Sequence, residues 1–136
     1  MFEYAVKFVC GRMRRGALAH GRYYTAINIH NPFRDDVKFQ TKAALAGPDK
    51  VHGGKIGVGG FVSEFEVYRL EHDQALEIEC MDISRRTASF VPRDFISGFY
   101  VIQSDTELDV VAVYTTQARF WGAKSIDVET ISARVI

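Results

Sequence analysis

Hydrophobic and polar residues alternate one by one along much of this chain, and turn residues interrupt the alternation at short intervals. A period of two is typical of β-strands with one buried face, because successive side chains of a strand point to opposite sides. The first such segment carries its apolar residues on one face: Phe2, Tyr4, Val6 and Phe8. The alternation predicts eight strands, over residues 2–8, 23–30, 37–41, 61–67, 76–80, 98–104, 108–115 and 125–135.

The C-terminal half is more apolar than the rest. Residues 98–104 and 108–115 carry apolar side chains on both faces, which is typical of a central strand or of one whose outer face another molecule covers. The short polar link between them predicts a hairpin. No segment has helical periodicity, and the nearest approach to a helix is a turn or two around residues 92–97. The pattern predicts an all-β, antiparallel β-sandwich of jelly-roll or Ig-like type, one domain over residues 1–136.

Acidic residues mark the expected solvent faces of two strands. In residues 61–67, Phe61, Phe65 and Val67 are expected to face the core. Glu64 and Glu66 then face solvent, as do the two acids of residues 77–79. Acids spaced in this way usually keep a sheet hydrated, so they do not indicate general acid–base catalysis.

Charge narrows the classes of function. The 136 residues contain 17 Lys and Arg against 17 Asp and Glu, a formal net charge of zero, which removes the overall basic character expected of a nucleic-acid binder. No apolar run approaches the ~20 residues of a membrane-spanning helix. The first residues do not form a signal peptide, so the expected compartment is the cytoplasm, or the exterior if a signal peptide has been removed.

The two cysteines, Cys10 and Cys80, both fall on the apolar face of a predicted strand. They fit either a disulfide between strands or two inert buried thiols. Without a visible signal peptide, the thiol interpretation is favoured.

Motifs for catalysis are absent from the sequence. The glycine-rich residues 53–60 lack the lysine spacing and the following helix of a phosphate-binding loop. There is no G-x-S-x-G nucleophile motif, and the histidines are isolated. The metal-ligand candidates are His30, Asp35 and Asp36, whose alternative role is in an ordinary hairpin loop. We therefore expect no catalytic residue and no cofactor.

Aromatic and basic residues are the remaining candidates for binding. Tyr24, Tyr100, Phe120 and Trp121 are candidates for exposed rings that stack on a sugar or anchor an interface, although Trp121 also fits a cap on one end of the sandwich. The loop over residues 11–21 is basic, and its candidate contact residues are Arg14 and Arg15. These arginines are either solvated or face acidic strands of another copy.

Five segments resemble a family of small bacterial proteins to which no activity is assigned. They are residues 4–11 (YAVKFVCG), 23–32 (YYTAINIHNP), 77–83 (EIECMDI), 104–115 (SDTELDVVAVYT) and 125–129 (SIDVE). The chain also resembles the sensory rhodopsin transducer family in the order of a strand ending in Asn, a hairpin, an acidic segment and a late Ser-Asp…Val-Val hairpin. This resemblance implies a small β-sandwich that assembles as a homo-oligomer. Neither resemblance implies a catalytic residue.

Two functions remain open at this point. The first is a non-enzymatic β-sandwich that acts through homo-oligomeric self-assembly, as a structural or accessory protein. The second is a module that binds a small ligand or glycan; a small metal-dependent enzyme is a more distant alternative. Neither of the first two involves nucleic acid or a membrane span.

Overall fold

The computed structural model describes residues 1–14, 16, 18–47, 59–87, 94–118 and 124–136. Within them the chain forms nine strands and one short helix, and every pair of strands is antiparallel. The elements are β1 (Phe2–Met13), β2 (Gly21–His30), β3 (Val37–Leu45), β4 (Glu66–Leu70), β5 (Ala75–Glu79), α1 (Cys80–Thr87), β6 (Phe95–Ser104), β7 (Asp109–Gln117), β8 (Lys124–Thr130) and β9 (Arg134–Val135). The predicted all-β, sandwich-like fold is confirmed.

The strands form two groups that meet at one hairpin. Their order is β4-β3-β6-β1-β2-β7-β8, with β5 on β2 and β9 on β1. β1 pairs with β2 only where residues 11–13 face residues 21–23, whereas it pairs with β6 over residues 2–11. Beyond the hairpin end, β2 instead pairs with β5. One core draws on both groups, for example Phe8 and Tyr100 from the first and Ile27 and Val110 from the second.

Side chains form hydrogen bonds with backbone N–H and C=O groups of β1 where this strand separates from β2. The buried Thr25 hydroxyl accepts a hydrogen bond from the Val9 N–H and donates one to the Val9 carbonyl, both at 2.9 Å. The Tyr114 hydroxyl donates to the Lys7 carbonyl at 2.6 Å. Because unpaired backbone groups are costly to bury, these contacts let the two strands diverge without losing their hydrogen bonds.

A disulfide joins the two groups at the same place. Cys10 of β1 is bonded to Cys80, the first residue of α1, and their Cα atoms are 5.6 Å apart. The interpretation as unpaired thiols was therefore wrong. The register explains the pairing: Glu79 lies opposite Ala26, so the next residue of the chain comes beside Thr25, which already contacts β1.

The helix α1 was missed because it is short and follows a strand without a break. Its N-terminus has one half of a capping box, since the Asp82 carboxylate accepts the Glu79 N–H at 2.9 Å. Ile83 and Thr87 are buried on its inner side. The prediction of a helical turn around residues 92–97 was wrong from Phe95 onward, because β6 begins there. Residues 92–93 lie outside the described residues.

The hairpin predicted between residues 98–104 and 108–115 was also wrong. β6 lies between β3 and β1, and β7 lies between β2 and β8, so both are central strands as their two-sided apolarity indicated. The link between them crosses from one group to the other. The buried Tyr4 hydroxyl holds it, donating to the Leu108 carbonyl at 2.8 Å and accepting the Leu108 N–H at 2.7 Å.

The prediction for residues 61–67 was wrong for Phe65 and Val67, whereas Glu64 and Glu66 are exposed as expected and Phe61 packs against the core. Val67 is 71% exposed and Phe65 is 38% exposed, while Leu70 is buried. The strand begins only at Glu66, which shares a face with Tyr68 and Leu70 and forms an ion pair with Arg86 of α1. Alternation alone does not say which face of an edge strand the rest of the protein covers. The predicted strand over residues 125–135 is likewise two strands, β8 and β9.

Loss of the disulfide should destabilise the protein by about 3–4 kcal/mol, because the bond closes a loop with a sequence separation of 70 residues. Chemical denaturation of the wild type with and without reductant measures the difference. The double variant Cys10→Ala, Cys80→Ala is the control, since reductant should not change its stability. Equal stability of oxidised and reduced wild type would contradict the expectation.

Tyr4→Phe should cost about 1–3 kcal/mol, because it leaves both backbone groups of buried Leu108 without the hydroxyl that pairs with them. The matched control is Tyr24→Phe, since the Tyr24 ring is 45% exposed, and it should change stability by less than about 0.5 kcal/mol. Urea unfolding of both variants checks the difference. Equal stabilities of the two variants would refute this role of Tyr4.

Candidate functional site

The end of the β1–β2 hairpin concentrates positive charge. Arg12 and Arg22 lie directly opposite each other in the ladder, so their side chains share one face, and Arg14 follows two residues after Arg12. All three are exposed. Like charges directly opposite each other destabilise a strand pair. No described carboxylate forms an ion pair with any of the three.

Two adjoining clefts open between these arginines. The first has a volume of about 200 Å³, and besides the three arginines it is lined by Met13, His20, Gly21, Gln117 and Ala118. The second, about 350 Å³, is lined by the same arginines with Gly11, Tyr24 and Asp94. The guanidinium groups thus border a histidine and an amide on one side, and a tyrosine and a carboxylate on the other.

Close backbone contacts fix the walls of both clefts. Gly11 has φ +108°, and a Cβ there would lie 2.0 Å from the Asp94 carbonyl oxygen, so only glycine fits. That carbonyl accepts the Arg12 N–H at 2.8 Å, which sets the spacing between Asp94 and the arginines. Across the hairpin, the Tyr23 hydroxyl donates to the Ala19 carbonyl at 2.5 Å and holds the loop before His20 against β2.

The candidate aromatic residues have different surroundings. Tyr24 is 45% exposed and lines the second cleft. Tyr100 is 1% exposed, so its assignment as a surface contact was wrong. It faces the core from a central strand, its hydroxyl is hydrogen-bonded to the Thr41 hydroxyl at 2.7 Å, and burial raises its pKa to about 12. Phe120, Trp121 and Arg15 lie outside the described residues, as do residues 48–58, which contain most of the glycine-rich segment.

Arg86 was not singled out from the sequence, although its side chain is only 9% exposed. Its guanidinium lies 5.4 Å from the centre of the Tyr100 ring and donates to the Thr41 carbonyl at 3.2 Å. It also donates to the Tyr68 hydroxyl at 2.8 Å and pairs with Glu66. These contacts attach α1 to β3, β4 and β6, so Arg86 has a structural role.

The predicted metal ligands do not converge. The His30 Nδ1 atom is hydrogen-bonded to the Asp109 carboxylate at 2.9 Å, and its Nε2 atom lies 3.4 Å from the Asp73 carboxylate. Asp36 instead forms an ion pair with Arg69, and only the backbone carbonyl of Asp35 is engaged, by the Asn31 side chain. Across the described ranges, no group of three or more His, Cys, Asp or Glu residues is arranged to hold a metal ion.

Comparisons with protein-family models, curated proteins and solved structures found no match to this chain. None of the described helical residues form a helix long and apolar enough to span a membrane. What the clefts can bind therefore follows from their own chemistry: three guanidinium groups for an anion, an exposed aromatic ring and one carboxylate.

His30 should titrate above its usual range, because the hydrogen bond to Asp109 raises its pKa from the ordinary 6.5. The folded state favours the charged imidazole, so the stabilisation by this pair is complete below pH 6.5 and disappears as the pH rises through the raised pKa. NMR titration of the imidazole should show Asp109→Asn moving the pKa back down. The neighbouring exposed variant Asp105→Asn should leave it unchanged, and an identical shift in both variants would contradict the assignment.

Proposed function

We propose that this protein acts through homo-oligomeric self-assembly, as a structural or accessory β-sandwich. The observation that carries the proposal is the outer face of β2, β7 and β8. Ala26, Val113 and Val128 lie side by side across these strands, with Tyr24, Thr115 and Ile126 in the next row. Ile126 is 71% exposed and Val128 is 59% exposed. Neighbouring exposed apolar side chains of this kind support the proposal of an interaction surface.

The alternation within β8 indicates how another molecule approaches. Ile126 and Val128 are on the outer face, whereas Asp127 and Glu129 are on the other face of the same strand. No described strand pairs with the free edge of β8. Antiparallel addition of a second β8 there would bring acids of the two copies together, and charges of this kind protect edge strands from such pairing. Contact through the outer apolar face avoids this repulsion.

A second copy of the chain fits this face. In a contact related by a two-fold axis perpendicular to the strands, Ile126 of one copy lies over Val128 of the other, so apolar side chains meet apolar side chains. The formal net charge of zero removes long-range repulsion between copies. The resemblance to the sensory rhodopsin transducer family, which implies a self-associating sandwich, agrees with the proposal.

A second candidate function is the binding of a small ligand of carbohydrate type. The exposed Tyr24 ring beside the 350 Å³ cleft favours it. Tyr24 also belongs to the edge of the apolar outer face, so this cleft adjoins the proposed assembly surface.

The compartment bears on both functions. Disulfides persist in oxidising environments and are rare where glutathione keeps thiols reduced. The Cys10–Cys80 bond therefore supports a location outside the reducing cytoplasm, against the cytoplasmic expectation from the first residues of the chain.

Ile126→Glu should weaken self-association at least about tenfold, because a carboxylate buried in an apolar interface loses its hydration. The matched control is Val67→Glu on β4, since Val67 and Ile126 are each 71% exposed. Light scattering coupled to size exclusion should show an oligomer for the wild type and the control, and a smaller species for Ile126→Glu, with unchanged circular dichroism in all three. A monomeric wild type at high micromolar concentration, or an assembled Ile126→Glu, would refute the proposal.

A further inference from the structure

We propose that the two clefts at the hairpin end form one binding site for a small sugar phosphate. The phosphoryl group lies among Arg12, Arg14 and Arg22, and the sugar ring lies on Tyr24 with its hydroxyls toward Asp94. This site deepens the second candidate function, the binding of a ligand of carbohydrate type, on which it rests, and it does not depend on self-assembly.

The arginines supply the anion-binding half of the site. The hairpin register holds Arg12 and Arg22 opposite each other, and no described carboxylate forms an ion pair with them. A bound anion removes their mutual repulsion and accepts paired hydrogen bonds from planar guanidinium groups, a geometry that suits phosphate oxygens. His20 and Gln117 line the same 200 Å³ cleft and provide further hydrogen-bonding groups there.

Tyr24 supplies the surface for the rest of the ligand. It is two residues after Arg22 on the same face of β2, so the two side chains leave the strand about 7 Å apart. That spacing matches a phosphoryl group and the ring of the sugar that carries it. A tyrosine ring presents a flat apolar face together with a polar hydroxyl, which suits the C–H groups and hydroxyls of a sugar.

Asp94 determines which kind of anion fits. It is exposed and lines the second cleft with Tyr24, and its backbone carbonyl is bonded to the Arg12 N–H. An ionised carboxylate accepts hydrogen bonds from hydroxyl groups but repels a second phosphoryl group. The site therefore favours a monophosphate with a hydroxylated ring over a bisphosphate or a nucleic-acid strand.

Isothermal titration calorimetry with the full chain tests the site with four probes: glucose 6-phosphate, glucose, inorganic phosphate and a short single-stranded oligonucleotide. We expect glucose 6-phosphate to bind most tightly, inorganic phosphate more weakly and glucose not measurably. Added salt should weaken binding of both phosphates, because the arginines are exposed. The proposal would be overturned if glucose or inorganic phosphate bound as tightly as glucose 6-phosphate. It would also be overturned if the oligonucleotide bound more tightly than glucose 6-phosphate, or if no probe bound.

Matched variants separate the two halves of the site. Arg22→Gln should weaken the binding of glucose 6-phosphate and of inorganic phosphate about tenfold, as expected for loss of a charge-assisted contact. Tyr24→Ala should weaken the binding of glucose 6-phosphate and leave the affinity for inorganic phosphate unchanged. The controls are Arg34→Gln, an exposed arginine away from the clefts, and Phe33→Ala, whose ring is 44% exposed against 45% for Tyr24. Equal effects of site and control variants would overturn the assignment.

Two further variants test whether a loss of binding could result from misfolding or from loss of self-assembly. Arg14 lies beyond the last residue of β1, outside the strand ladder. If Arg22→Gln does not fold, Arg14→Gln should show the same loss of phosphate binding. Ile126→Glu should retain glucose 6-phosphate binding, because Ile126 is not among the residues that line either cleft. Loss of binding in Ile126→Glu, with its fold intact, would contradict a site independent of self-assembly.

Discussion

The divergence of β1 from β2 is the constraint on which the rest of the structure depends. The two strands share a ladder only at residues 11–13 and 21–23, and each then joins a different group of strands. Such a separation exposes backbone groups that must find other partners. The Thr25 hydroxyl takes both backbone groups of Val9, and the Cys10–Cys80 bond holds the diverging parts together next to it. One core can therefore form between the two groups.

The same divergence accounts for the position of the candidate site. Where the strands remain paired, their side chains are held in register, and this places Arg12 opposite Arg22. Farther along β2, the position beside it belongs to β5, whose Glu77 and Glu79 are acidic. Basic and acidic side chains thus occupy opposite ends of one outer face. A chain with no net charge consequently has a strongly positive region at the hairpin end.

The apolar outer face and the arginine clefts are neighbours, and Tyr24 lies at their boundary. Its ring is in the row of Ile126 and also lines the second cleft. An assembly through Val113, Ile126 and Val128 leaves the arginine end at the periphery of the contact. A ligand that rests on the Tyr24 ring would therefore border the assembly contact, because the two functions share this residue.

The sequence by itself determined most of the strands and most of their buried faces, because a period of two is a local property of the extended chain. Phe8 and Ile27 are buried as the alternation predicted, and Tyr24 is exposed. Only the tertiary structure decided which strands pair, that Cys10 meets Cys80, and that the eight residues of α1 form a helix against the core. The arginines were visible as a basic loop, but their convergence depends on register, which is set by contacts between residues distant in the sequence.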